Sequence, residues 1–538
     1  MMVVDIRMFL SMRRLATPVI HRLLAGLVLI LLTPSCATSG YWIPPNSSPT
    51  PPSDLTFLFA TPVPVEPIIE EDPVVAAPLQ PEPTSIQIPQ PTAVTPQVNT
   101  APILYYTQAA DTLPVVAVRF GVQPYEITSP APISESAPLP PNQLLIIPRR
   151  LMNTTDAQHI LPDSEVVYSP SAINFDIQAF AEQAGGFLST RSEWLKSTHT
   201  TNAADIIQRV ALENSINPRL LLALLEYQSN LVYGQPVSQN QIDYPMGFVD
   251  LNHKGLYQQL VWVVNHLSVG YYNWREGRLI DLRFTDGVSA RLAPDLNAGS
   301  VALQYYFAQI YDSQGWLQAM DQESGFPALY ERMFGNPWTR AQTVEPLYPP
   351  GLTQPELILP FDMERVWSYT GGPHGAWERD GSYAALDFAP ASSKPGCQNS
   401  NAWVVASASG LVVRSGGGVV VLDLDGDGYE QTGWVLLYLH VSNESSVPVG
   451  TWVGKGDHLG HPSCEGGMAT GTHVHFARKY NGEWIAADGP MPFTLSGWVA
   501  HAGEAAYAGT LTRQAEVITA CTCGSLDSTV MRTPDDPY

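Results

Sequence analysis

His473 and His475, in the run Thr472-His473-Val474-His475-Phe476, are separated by a single residue. In a strand, residues i and i+2 share one face, so both imidazoles project from the same side of a sheet. Two imidazoles held that close suit a metal ligand beside a proton-transfer partner. The run follows a glycine-rich turn, Gly466-Gly467-Met468-Ala469-Thr470-Gly471, and the remaining ligands must come from further away. Three short stretches supply candidates. His374 ends the glycine-rich Gly371-Gly372-Pro373-His374, and His440 ends the strand-like Leu437-Tyr438-Leu439-His440. Asp387 lies in Ala385-Leu386-Asp387-Phe388-Ala389, where a carboxylate among apolar neighbours needs a metal, a cation or hydrogen bonds.

Together these stretches resemble the lysostaphin/LytM-type zinc metallopeptidases, with Ser409-Gly410-Leu411-Val412, Val453-Gly454-Lys455-Gly456-Asp457 and Thr470-Gly471-Thr472 as supporting motifs. The resemblance implies that His374, Asp387 and His475 hold Zn²⁺, leaving a fourth position for water. It implies that His440 and His473 move protons and stabilise an oxyanion, and that the substrate is a peptide of peptidoglycan. One departure stands out: the family spaces its first histidine and aspartate four positions apart, and here they are thirteen apart. The intervening residues, with Trp377, Glu378, Arg379 and Asp380, are read as a lengthened loop between ligands that still meet in space. The other reading is a catalytically inactive peptidoglycan-binding or hydrolase-activating protein in which His374 is no ligand. His458, His461 and His501 match no family role and are expected at the surface or rim.

A second metal candidate is Asp423-Leu424-Asp425-Gly426-Asp427-Gly428. Carboxylates at alternate positions with a glycine resemble a calcium loop, but Trp434 stands where the closing bidentate glutamate belongs. A hairpin turn is the first reading and Ca²⁺ at Asp423, Asp425 and Asp427 the second. Cys397 and Cys464 both fall in the candidate catalytic region and are expected to pair, while Cys521 and Cys523 pair locally or elsewhere.

The elements that position these residues are short strands divided by glycine turns, so residues 355–505 are expected to form an all-β metallopeptidase domain. Residues 506–538 are set apart as a tail. Upstream, 341–360 is a proline-bearing linker and 175–340 is expected to be all-α. In the latter, Ile206, Ile207, Val210 and Ala211 line one helical face, and Asn217-Pro218 caps the next helix. The run Ile216–Ser229 resembles the catalytic helix of lysozyme-like lytic transglycosylases. Gln228 occupies the position of that family's acid and exchanges no proton at neutral pH, and Glu226 lies on another face. A lysozyme-like scaffold that binds glycan or spaces the next domain is therefore expected. Residues 103–149 resemble a small α+β LysM domain, from Leu104-Tyr105-Tyr106 through Ala110-Asp111-Thr112-Leu113 to Gln143-Leu144-Leu145-Ile146-Ile147-Pro148. That resemblance implies binding to N-acetylglucosamine-containing glycans, with a second helix interrupted by Pro130 and Pro132.

The chain begins with features of export. Arg13, Arg14 and Arg22 precede an apolar run that ends at Thr33-Pro34-Ser35-Cys36. Residues 1–35 read as a signal peptide, and Cys36 as the lipid-bearing cysteine of a cell-surface lipoprotein or part of a secreted chain. Residues 36–102 are a disordered proline-rich linker. A net charge of −23 without basic runs excludes nucleic acid as a partner, leaving peptidoglycan and, through Cys36, a membrane.

Overall fold

The computed structural model describes residues 41–42, 101–392 and 395–537. The expected signal peptide, Cys36 and nearly all of the proline-rich stretch lie outside these residues. Among the described residues no helix is long and apolar enough to cross a membrane.

The segment expected to be LysM-like pairs strands Ile103–Tyr106 and Leu144–Ile147 antiparallel, around a helix at Leu113–Phe120. Tyr105, Val116, Phe120, Leu145 and Ile147 bury their side chains together. Buried Asp111 accepts from Tyr105 Oη at 2.5 Å and pairs with Arg119 at 2.8 Å. In place of a second helix there is one 3₁₀ turn, Pro124–Glu126. Pro130 and Pro132 lack the N–H that a helix interior needs, which explains the difference.

The middle region is built on helices Ala203–Asn214, Pro218–Ser229, Leu256–Arg275 and Ala298–Ile310, with two small hairpins. Asn217 caps the second of these, its side chain accepting from Arg219 N at 3.0 Å. Gln228 is buried and bonded to Tyr306 and Tyr311, so it joins two helices. Glu226 accepts from Val232 N and Tyr233 N and closes the turn after its own helix.

Six strands carry the C-terminal domain: β1 (Val366–His374), β2 (Ala385–Pro390), β3 (Gly410–Gly416), β4 (Val419–Asp423), β5 (Trp434–Leu439) and β6 (Val474–Tyr480). They form one antiparallel sheet in the order β3-β4-β5-β6-β2-β1. Both faces are buried, and alternation sorts them. Val420, Leu422, Leu436, Tyr438 and Phe476 pack into the domain's own core, whereas Val419, Val421, Val435, Leu437 and Ala477 pack against the helical region. Residues set apart as a tail extend this architecture: Gly509–Arg513 pairs with Glu516–Thr519, and Thr529–Met531 adds to β1.

Arg275 stands where the three regions meet. It pairs with Asp163 at 2.8 Å and Glu483 at 3.0 Å, and also donates to the Ala109 carbonyl.

Candidate metal centre

Antiparallel pairing brings the three expected ligands together. Asp387 on β2 is opposite His475 on β6, while β1 pairs with β2 so that His374 faces Ala385. The thirteen-position separation is spanned by a hairpin, whose two strands lie side by side in the sheet. Glycine permits the close approach: a Cβ on Gly371 would lie 2.6 Å from Asp387 Oδ2.

His374 Nε2, His475 Nδ1 and Asp387 Oδ1 converge, at 3.0 Å between the two nitrogens and 3.3 Å from each nitrogen to the oxygen. The far nitrogens fix the tautomers. His374 Nδ1 donates to the Gly372 carbonyl at 2.8 Å, and His475 Nε2 to the Ala376 carbonyl at 2.9 Å. Neutral rings so held present only lone pairs to one another and to the carboxylate. Asp387 Oδ1 is buried without a hydrogen-bond partner. Three converging acceptors repel unless a cation lies between them. Zinc bonded at about 2.0–2.1 Å in tetrahedral geometry sets its ligand atoms about 3.3–3.4 Å apart, which the two nitrogen–oxygen distances of 3.3 Å match and the nitrogen–nitrogen distance of 3.0 Å falls slightly short of. The three side chains fit the metal.

With no cation in the cluster, the Asp387 carboxylate instead draws a proton toward His374. Burial penalises the Asp387 anion, but the adjacent His374 outweighs it and holds the carboxyl well below its usual range. Burial likewise opposes the His374 cation, and Asp387 overcomes it to raise that imidazole. His475 is pushed down by burial.

His440 and His473 complete the cluster, their rings 4.4 Å apart. His440 follows β5 with φ at +66°, a left-handed backbone uncommon outside glycine and frequent at functional sites. Its Nδ1 donates to the Glu465 carbonyl, and His473 Nδ1 donates to the Gly471 carbonyl, each at 2.7 Å. Both rings therefore keep Nε2 free, and His473 Nε2 lies 3.8 Å from Asp387 Oδ1. Burial, with His473 and His475 nearby, pushes His440 down to about 3, so the ring is neutral with a lone pair on Nε2.

Two participants were not expected. Tyr507, from the segment set apart as a tail, stacks on His374 with ring centroids 4.1 Å apart and stays half-exposed. The Ala376 carbonyl comes from the insert itself. The insert leans on the helical region, with Asp380 beside Asn265 at 3.4 Å. His458 pairs with Asp362, His461 bonds to the Ala402 carbonyl, and His501 bonds to Thr512, all away from the five-residue cluster.

The acidic loop is a turn. Asp423 accepts from the backbone N–H groups of Asp425, Gly426 and Gly428, and Asp427 from Tyr429 N and Thr432. These bonds explain the carboxylates as parts of a turn without any ion, although the three lie within 4.8 Å of one another, and the calcium reading is not supported.

Residues 396–487 match the family described as Peptidase family M23, and residues 159–347 match LasA, N-terminal domain. The C-terminal domain is an M23-family metallopeptidase of the LytM type. The matched stretch holds His440, His473 and His475, while His374 and Asp387 precede it. Protease LasA from Pseudomonas aeruginosa strain UCBPP-PA14 is 27% identical over 344 residues, covering 61% of this chain and 75% of that protein. Protease LasA of strain PAO1 is 27% identical over 346 residues with the same coverage. Among solved structures, the deep-sea M23 metalloprotease Pseudoalterin is 25% identical at a TM-score of 0.27, covering 32% of this chain and 96% of its own. The catalytic domain of lysostaphin from Staphylococcus simulans is 25% identical at a TM-score of 0.17, covering 22% and 87%. M23 peptidases are zinc-dependent, and this protein is a peptidoglycan-hydrolysing endopeptidase.

Proposed function

We propose that His374, Asp387 and His475 hold the zinc of this endopeptidase and that His440 and His473 perform its proton transfers. The observation that carries this reading is the convergence of three lone-pair atoms, with the proton of each imidazole fixed on its far nitrogen. When bound, zinc acidifies a water molecule and polarises the scissile carbonyl. His440, neutral and with Nε2 free, accepts a proton and passes it to the leaving amine. His473, with its own Nε2 free beside Asp387, donates a hydrogen bond to the developing oxyanion once protonated.

Around this centre, the N-terminal signal and proline-rich stretch support an exported enzyme acting on the cell wall, with a lipid on Cys36 as its anchor. The LysM-like region would bind the wall's glycan strands. The lysozyme-like scaffold would not cleave them, since buried Gln228 and turn-bound Glu226 leave its key helix without an acid in the active position. Purified full chain should contain one zinc per molecule and release new amino groups from peptidoglycan. A protein that takes up no zinc at any reasonable concentration would falsify this reading.

A further inference from the structure

The five side chains of the centre are held by two different supports. The three metal-binding residues lie on strands β1, β2 and β6, and their orienting carbonyls belong to Gly372 and Ala376. His440 and His473 are oriented instead by the carbonyls of Glu465 and Gly471. Both carbonyls lie in the loop between Pro462 and His473, which belongs to no strand.

That loop is clamped at each end to the exposed segment around Cys397. At one end Cys464 forms a disulfide with Cys397, bridging 67 positions. Its neighbour Ser463 donates from N to the His440 carbonyl at 2.6 Å and bridges to His473. Its other neighbour, Glu465, supplies the carbonyl that fixes the His440 ring. At the far end Thr472 Oγ1 accepts from Gln398 N at 2.7 Å and donates to the Gln398 carbonyl at 2.6 Å. Thr472 N also reaches the Gly396 carbonyl at 3.3 Å. Cys397 is exposed and Cys464 half-buried, so a reductant has access to the bond.

We propose that the Cys397–Cys464 disulfide is a positioning element for His440 and His473, making turnover redox-sensitive while metal binding is not. Reduction frees the loop that carries both orienting carbonyls, and the two rings lose their fixed tautomers and angles. The strands that hold His374, Asp387 and His475 are untouched. The inference rests on the catalytic roles proposed above for the two histidines.

The test uses the zinc-loaded full chain carrying Cys521→Ser and Cys523→Ser, which removes the Cys521–Cys523 disulfide and leaves Cys397–Cys464. Treatment with tris(2-carboxyethyl)phosphine breaks the S–S bond, forms two thiols and yields the phosphine oxide, with water supplying the oxygen and both protons. Loss of an orienting partner at such centres costs about 10- to 100-fold, and kcat should fall by that factor. KM should stay within about threefold, zinc should stay near one equivalent, and reoxidation by diamide should restore kcat. Cys397→Ser combined with Cys464→Ser should reproduce the reduced state without rescue. Where that variant does not fold, the reduced protein carries the test alone. Unchanged kcat after reduction overturns the proposal, as does zinc loss in step with kcat or global unfolding on reduction. If the oxidised protein binds no zinc or shows no turnover, the functional reading fails first and this inference falls with it.

Discussion

His374 Nε2 and His475 Nδ1 face each other at 3.0 Å with both protons on the opposite sides of their rings. With both rings neutral and no cation between them this is a repulsive contact, and the roles proposed above treat the histidines differently. His475→Ala removes one of the two facing nitrogens and should leave less than about a tenth of an equivalent of zinc. His473→Ala removes no ligand and should keep about one equivalent while kcat falls by roughly 10²–10⁴-fold, the usual worth of a proton-transfer group. Metal analysis beside single-turnover kinetics separates the two. Equal zinc loss in both variants would sink the division of labour.

The insert between His374 and Asp387 does more than reconnect them, because Ala376 orients His475. A Cβ on Gly375 would fall 1.9 Å from the Glu378 carbonyl oxygen, so Gly375→Val must open the hairpin. Displacing the Ala376 carbonyl should weaken zinc binding by about 10- to 100-fold, with all three ligands retained. Competition with a chelator measures it. Unaltered affinity would show that the insert is only a connector.

How far the sequence discloses this centre depends on which atoms are involved. Side-chain identities are readable, and the fold brings His374, Asp387, His440, His473 and His475 into one cluster. Backbone carbonyls carry no sequence signature, so the roles of Gly372, Ala376, Glu465 and Gly471 emerge only from the fold. The uninterrupted apolar run Val419-Val420-Val421-Leu422 announces a strand buried on both faces but does not say what covers the second face. That partner is the helical region, a non-local contact. The terminal strands are more legible: Thr510-Leu511-Thr512 and Val517-Ile518-Thr519 alternate about a short connection, a hairpin signal in the stretch set apart as a tail.

Tyr507 reaches the centre from that stretch. Its ring supports His374 by stacking and its hydroxyl is not needed for that contact. An aromatic pair contributes about 0.5–1.5 kcal/mol, so Tyr507→Ala should weaken zinc binding by about 2- to 13-fold. Tyr507→Phe should leave affinity unchanged. A rise in KM with Tyr507→Phe at constant zinc would assign the hydroxyl to substrate.

Acid should weaken the sheet at a defined place. Glu430 is buried, and although burial opposes its charge, Arg414 and Lys479 pull it down to about 2 from an ordinary 4.5. A depressed carboxylate stabilises the fold above its unfolded pKa, and that contribution is lost as pH falls from about 4.5 through about 2. A shift of that size corresponds to about 3 kcal/mol. Glu430→Gln should therefore destabilise the protein by about this amount at pH 7 and hardly at all near pH 2. Urea unfolding at the two pH values tests it, and an equal loss at both would contradict the charge-based account.

Arg275 makes the same kind of prediction for the assembly of the regions. Its guanidinium is buried between Asp163 of the helical region and Glu483 beside β6, and it also holds the Ala109 carbonyl. Arg275→Met keeps most of the volume and removes the charge, leaving two carboxylates buried without their cation. Breaking such a pair costs roughly 3–5 kcal/mol, and the cost falls on the junction rather than on any one core. The expected result is separation of unfolding into more than one calorimetric transition, with the peptidase sheet melting apart from the helices. Adding Glu483→Gln should recover part of the loss, because one unpaired charge is then removed. A single transition displaced to lower temperature, with no recovery in the double variant, would mean that Arg275 supports only its own helix.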